Sequence, residues 1–128
     1  MPFAVGIPKF VSFLDGVKGG YLKDPGFVKI VKNDLKTGQH RNPAKHPYYF
    51  TSAYFHHPSE LKIELEEAGF KSVKVLSIEG PIWLASNLEN LLKKKGQRNQ
   101  ILTFLREIEA EPTVIGSTDH MMAIGTKS

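Results

Sequence analysis

The residues able to do chemistry fall into a few groups. His40, His56 and His57 stand among polar and aromatic neighbours, and histidine offers proton transfer or metal ligation. Metal is disfavoured by spacing: His56 and His57 are adjacent and point apart on an extended segment, with no second pair at ligand spacing. Nucleophilic catalysis lacks its usual frame, since no serine sits in a Gly-x-Ser-x-Gly turn. The chain has no cysteine, which removes thiolate catalysis, disulfides and cysteine-bound metal and is compatible with a reducing compartment. Tyr48, Tyr49, Phe50, Tyr54 and Phe55 form an aromatic cluster that can stack bases or line a small-molecule pocket, and that also suits core packing. Lys93, Lys94, Lys95 and Arg98 are the one basic run. They lie where a helix C-terminus favours cations, so nucleic-acid binding ranks last.

The elements that must hold these groups are legible from punctuation and periodicity. Phe3 to Ile7 is a continuous apolar run, as in a strand covered on both faces. Pro8 opens a helix with Phe10, Phe13, Leu14 and Val17 at helical spacing, and Gly19-Gly20 closes it. Asp24-Pro25 starts a second helix with Phe27, Ile30, Val31 and Leu35 inside, stopping at Gly38. Residues 39–47 read as a loop and 48–56 as a short strand or extended segment. Pro58 opens a third helix with Leu61, Leu65 and Ala68 on one face, and His57 is placed to cap it. Gly69-Phe70 is its left-handed stop. Phe70 to Glu79 is the clearest strand, ended by Gly80-Pro81. Asn87 caps a short helix, with Leu88, Leu91 and Leu92 inside. Ile101, Leu102, Phe104, Leu105 and Ile108 give the strongest helical stripe. Met121 to Thr126 is a last short strand.

With 128 residues, 41 % hydrophobic and 23 % charged, the chain suits one globular domain over 1–128. Its net charge of +4 is modest and spread out. The opening Met1 to Ile7 has no basic n-region and is too short for a signal h-region. No apolar run approaches the roughly 20 residues of a membrane span, so a cytoplasmic location without membrane contact is expected.

Three stretches together resemble the distal half of a class I S-adenosylmethionine-dependent methyltransferase of the small-molecule type. The first is Pro58 to Leu61 running through Glu67-Ala68-Gly69-Phe70 into Val73-Lys74-Val75. The second is Thr37-Gly38-Gln39-His40-Arg41-Asn42-Pro43 followed by Tyr49 to His56. The third is Ile78-Glu79-Gly80-Pro81 with Trp83.

The resemblance implies an α/β fold with part of a Rossmann-like sheet. Phe3 to Ile7 would be its fifth strand, Phe70 to Ile78 its sixth, and Met121 to Thr126 an antiparallel seventh between them. Helical cap insertions would cover about 8–47 and 81–112. It implies that His40, Arg41, Tyr54, His56 and Glu79 face the acceptor substrate, where a histidine or glutamate can take a proton from an attacking oxygen or nitrogen. Arg41 can equally neutralise Glu79 or a helix end.

The family's glycine-rich loop after its first strand and the acidic ribose partner after its second have no counterpart here; Gly16, Gly19 and Gly20 follow a helix. S-adenosylmethionine is therefore the cofactor of intact relatives and none is expected for this chain alone, which is expected to be inactive by itself. A two-sided apolar strand without a neighbour on one edge favours a homo-oligomer through Phe3 to Ile7. The other partner the resemblance implies is a separate N-terminal methyltransferase half. The alternative class is a non-catalytic α+β module that binds a small ligand or a protein and self-associates.

Overall fold

Helix ends fall at the capping residues in the computed structural model, which describes residues 1–127. α1 (Val11–Gly19) ends on Gly20, whose φ of 72° places it in the left-handed region. α2 (Pro25–Thr37) begins where the Asp24 side chain accepts from Gly26 N–H at 2.9 Å, and ends on left-handed Gly38. α3 (Pro58–Glu67) has a full capping box: His57 accepts from Ser59 N–H while Glu60 accepts from His57 N–H at 2.9 Å. His57 is thus a cap, and Gly69 follows the helix at φ 93°. α4 (Leu88–Lys93), α5 (Lys95–Ile108) and the short α6 (Pro112–Ile115) complete the helices. Asn87 precedes α4 without a side-chain cap bond.

Three strands form the main sheet: β1 (Phe3–Gly6), β4 (Phe70–Ser77) and β5 (Met121–Lys127), in the order β1-β5-β4. β5 is antiparallel to both neighbours, so β1 and β4 run parallel to each other. A second, two-residue pairing joins β2 (Gln39–His40) to β3 (Ala53–Tyr54), inside stretches expected to be loop and extended chain. The fold is mixed α/β, with its last strand antiparallel.

The register decides which face is core. Gly6 pairs with Met121 and Ala4 with Ala123, so these four share one face. Met121 and Ala123 are fully buried there against Leu61 and Leu65 of α3, with Val73 and Ile115. Phe3 and Val5 share the opposite face with Ile124 and Met122, and they are 63 % and 58 % exposed. The expectation of a strand covered on both faces is therefore corrected. α3 covers one face, and among the described residues no element buries Phe3 or Val5 on the other.

Two helical stripes are also corrected. In α1 the buried residues are Val11, Ser12 and Gly16, while Phe10, Phe13 and Val17 face outward. A small residue is required at the contact: a Cβ on Gly16 would stand 2.6 Å from Phe27 Cε1. Phe27 and Val31 of α2 are buried as expected. α5 buries no residue completely, and Leu102 and Phe104 are exposed. Its inner edge, Leu105 and Ile108, lies against Gly80.

Trp83, in the 3-10 turn Gly80–Leu84, ties the parts together. It is buried, donates its indole N–H to Ser117 O at 2.8 Å, and its carbonyl accepts from the Lys18 ammonium of α1. The same ammonium lies 5.3 Å from the ring centroid.

Candidate functional site

The parallel strands β1 and β4 end on the same side of the sheet, and β5 begins there. Ile7 follows β1, Glu79 follows β4, and Asp119-His120 precede β5. Above these ends, α1, α2 and the segment after β2 enclose a cavity of about 210 Å³. Ile7, Val11, Phe27, Phe50 and Phe55 supply its apolar wall; Ser12, Asp15, His40, Asp119 and His120 supply its polar groups. A wider cleft of about 670 Å³ shares Asp15 and Phe50 with it and runs along residues 45–52.

His40 borders this cavity, but both ring nitrogens are occupied. Nδ1 lies 2.8 Å from Asp34 Oδ2, and Nε2 lies 2.9 Å from the Phe50 carbonyl oxygen. A carbonyl only accepts, so Nε2 carries a proton, and a carboxylate asks the same of Nδ1. Burial disfavours the imidazolium, but the Asp34 hydrogen bond and charge, with the Phe50 carbonyl, outweigh it and raise the pKa above 6.5. The ring also stacks on Phe55 at 4.7 Å. Asp34 itself is fully buried and accepts from Ser12 as well, while its Oδ1 has no protein partner. His40 therefore joins α2 to the loop and has no lone pair for a substrate.

The other expected residues divide. Arg41 donates to the carbonyls of His40 and Ala53, which braces the β2–β3 pair, and it makes no ion pair with Glu79. Tyr54 donates to Glu60 at 3.1 Å and packs edge-on to His56 at 4.8 Å. His56 Nε2 lies 3.1 Å from Glu64, and its backbone carries a parallel bridge to Pro8. Tyr54 and His56 thus sit together beside α3, outside the cavity lining. Among the described residues, Glu79 alone of the five expected positions meets an unassigned histidine.

That histidine is His120. Its Nδ1 lies 2.7 Å from Glu79 Oε1, its backbone N–H donates to Glu79 Oε2 at 2.8 Å, and Thr118 Oγ1 lies 3.2 Å from the same oxygen. Thr118 is fully buried and also accepts from Gly80 N–H, so the carboxylate is held from several sides. Nε2 of His120 has no partner among the described residues. Asp15 and Asp119 both line the cavity. Burial pushes both carboxyls above the usual range, helped by the charge of Asp119 for Asp15 and by that of Glu79 for Asp119. Lys18 offsets this for Asp15, and His120 and Lys18 offset it for Asp119.

Sequence reasoning missed Ser12, Asp15, Asp34, Asp119 and His120. The sequence around Asp34 resembles any solvated helix face, and only the fold brings positions 79 and 120 together. Glu79, Asp119 and His120 also place ligand atoms within 4.8 Å of one another. His120 Nδ1 lies 2.7 Å from Glu79 Oε1 and 3.6 Å from Asp119 Oδ2.

The glycines do not form a cofactor cradle. Gly16 packs on Phe27 and Gly20 closes α1, so neither joins a strand to a helix. These residues do not fit S-adenosylmethionine. Among the described residues no helix is long and apolar enough to cross a membrane. Comparison with protein-family models, with curated proteins and with solved structures finds no match to this chain.

Proposed function

We propose that the chain is the acceptor-side half of a class I S-adenosylmethionine-dependent methyltransferase, completed by a cofactor-binding half from another segment. One observation carries this reading. The cavity lies at the carboxyl end of β1 and the start of β5, on the side of the sheet where β4 also ends. In open α/β sheets ligands bind outside the carboxyl ends of the strands. The order β1-β5-β4 is also the one the family resemblance implies for a Rossmann-like sheet in its fifth, seventh and sixth strands. In this reading the aromatic and apolar wall holds the acceptor, and the polar groups orient its reacting atom.

The test offers labelled S-adenosylmethionine to the chain alone and to the chain mixed with a cofactor-binding half encoded beside its gene. The expected result is no measurable binding by the chain alone, and transfer of label to a small hydroxyl or amine compound by the pair. Micromolar binding by the chain alone, about −8 kcal/mol, or failure of the pair to transfer label, overturns the reading. A second reading, a non-catalytic module for a small aromatic ligand, draws on the same enclosed wall of Phe27, Phe50 and Phe55. It requires ligand binding that no methyl donor follows.

A further inference from the structure

We infer that His120, positioned by Glu79, is the proton acceptor for a small neutral aromatic hydroxyl compound held in the cavity between α1, the carboxyl end of β1 and the start of β5. This rests on the reading of that cavity as the acceptor site, and it adds the ligand class and the residue that meets it.

The geometry of the dyad leaves one nitrogen for a ligand. Glu79 accepts from Nδ1 at 2.7 Å, which fixes the tautomer with Nδ1 protonated and leaves the lone pair on Nε2. The carboxylate's other oxygen accepts from His120 N–H at 2.8 Å, with the Thr118 hydroxyl, which also reaches the His120 carbonyl, at 3.2 Å. Asp15 and Asp119 add carboxyls to the same wall, and the two remaining polar groups are used internally. His40 is bonded at both nitrogens, and Ser12 donates to Asp34. His120 is thus the one imidazole on the cavity wall with a free ring nitrogen among the described residues.

The wall and the charges set the ligand. A cavity of about 210 Å³ with phenylalanine walls accepts one aromatic ring with a short substituent, since a dry cavity of about 150 Å³ already takes benzene. Asp15 and Asp119 border the same space, so an anionic ligand is repelled and a neutral one is admitted. A neutral hydroxyl donates a hydrogen bond to Nε2, and its proton passes to Nε2 only as its oxygen bonds to an electrophile. No free anion then forms beside Asp15 and Asp119, and Glu79 stabilises the imidazolium.

The experiment is calorimetric titration of the chain with phenol, toluene and benzoate, repeated on His120→Phe and Glu79→Gln. The wild type is expected to bind phenol about tenfold tighter than toluene, as one hydrogen bond allows, with benzoate weakest. His120→Phe is expected to keep toluene binding and lose the preference for phenol. Glu79 acts through His120, so Glu79→Gln is expected to reduce that preference. It should also replace the single Nδ1–H tautomer by a mixture in the ¹⁵N spectrum of the ring.

Equal binding of phenol and toluene by the wild type, benzoate binding best, or no binding at all would sink the inference. So would a phenol preference that survives His120→Phe. If His120→Phe loses toluene too, the Glu79→Gln arm decides, and an unchanged tautomer with an unchanged preference overturns the assignment. Phenol binding without methyl transfer by the completed pair removes the enzymatic reading and leaves this one standing. Transfer that ignores His120→Phe does the reverse.

Discussion

His40 shows how far a residue's type is from its role. Its neighbours Arg41 and Asn42 and the aromatic run behind them mark it as a candidate proton acceptor, yet the fold turns it inward onto Asp34. Removing one member of a buried pair leaves the other charge uncompensated, so Asp34→Ala should cost about 3–5 kcal/mol in chemical denaturation. The pH dependence follows from the raised pKa of His40. A group whose folded pKa lies above its unfolded value contributes fully below the unfolded value, here near 6.5, and loses that contribution as pH rises through the folded value. The stability gap between wild type and His40→Phe should therefore narrow as pH rises above about 6.5. A gap that widens over that range would show that His40 is not held as the cation. His120 gave no comparable signal in the sequence, because its partner Glu79 lies 41 positions away.

At the scale of elements, the helix punctuation was readable and the helix faces were less so. Asp24-Pro25, His57-Pro58, Gly38 and Gly69 act locally, so their capping needs no knowledge of what the helix packs on. The face of α1 is set by a neighbour instead: Phe27 needs the space above Gly16, and this rotates Phe10, Phe13 and Val17 outward. Phe13→Ala should then change stability by no more than about 0.5 kcal/mol. Phe27→Ala should cost about 3–5 kcal/mol, and Gly16→Ala about 1–3 kcal/mol through overpacking. Thermal midpoints of the three variants check the order. If Phe13→Ala proves the most damaging, the assigned face is wrong. The strands β1, β4 and β5 were legible as apolar runs, whereas the β2–β3 pair spans two residues on each side and leaves no periodicity to read.

For the whole molecule, the open question is what meets the outer edge and face of β1. Among the described residues β1 hydrogen-bonds only to β5, and Phe3 and Val5 are exposed beside it. An unpaired edge with apolar side chains favours pairing with another chain. The purified chain is expected to sediment as a dimer or higher oligomer at tens of micromolar, and Val5→Lys is expected to shift it to monomer. A monomeric wild type, or an oligomer indifferent to the lysine, would mean that this face is not the contact. The same substitution separates this association from the cavity, since Val5 lies outside the lining and phenol binding should persist.

Trp83 has a practical consequence for watching these parts move. It is the sole tryptophan, so all indole fluorescence comes from one position. That position is buried, with its N–H on Ser117 and the Lys18 ammonium of α1 near its ring. Emission should lie to the blue of a solvated indole and move to the red when the ring meets water. Loss of the Lys18 contact alone changes the field on the excited state without wetting the ring. Detachment of α1 and global unfolding thus leave different optical traces in the unmodified protein, one a change of intensity or lifetime at nearly fixed wavelength, the other a red shift.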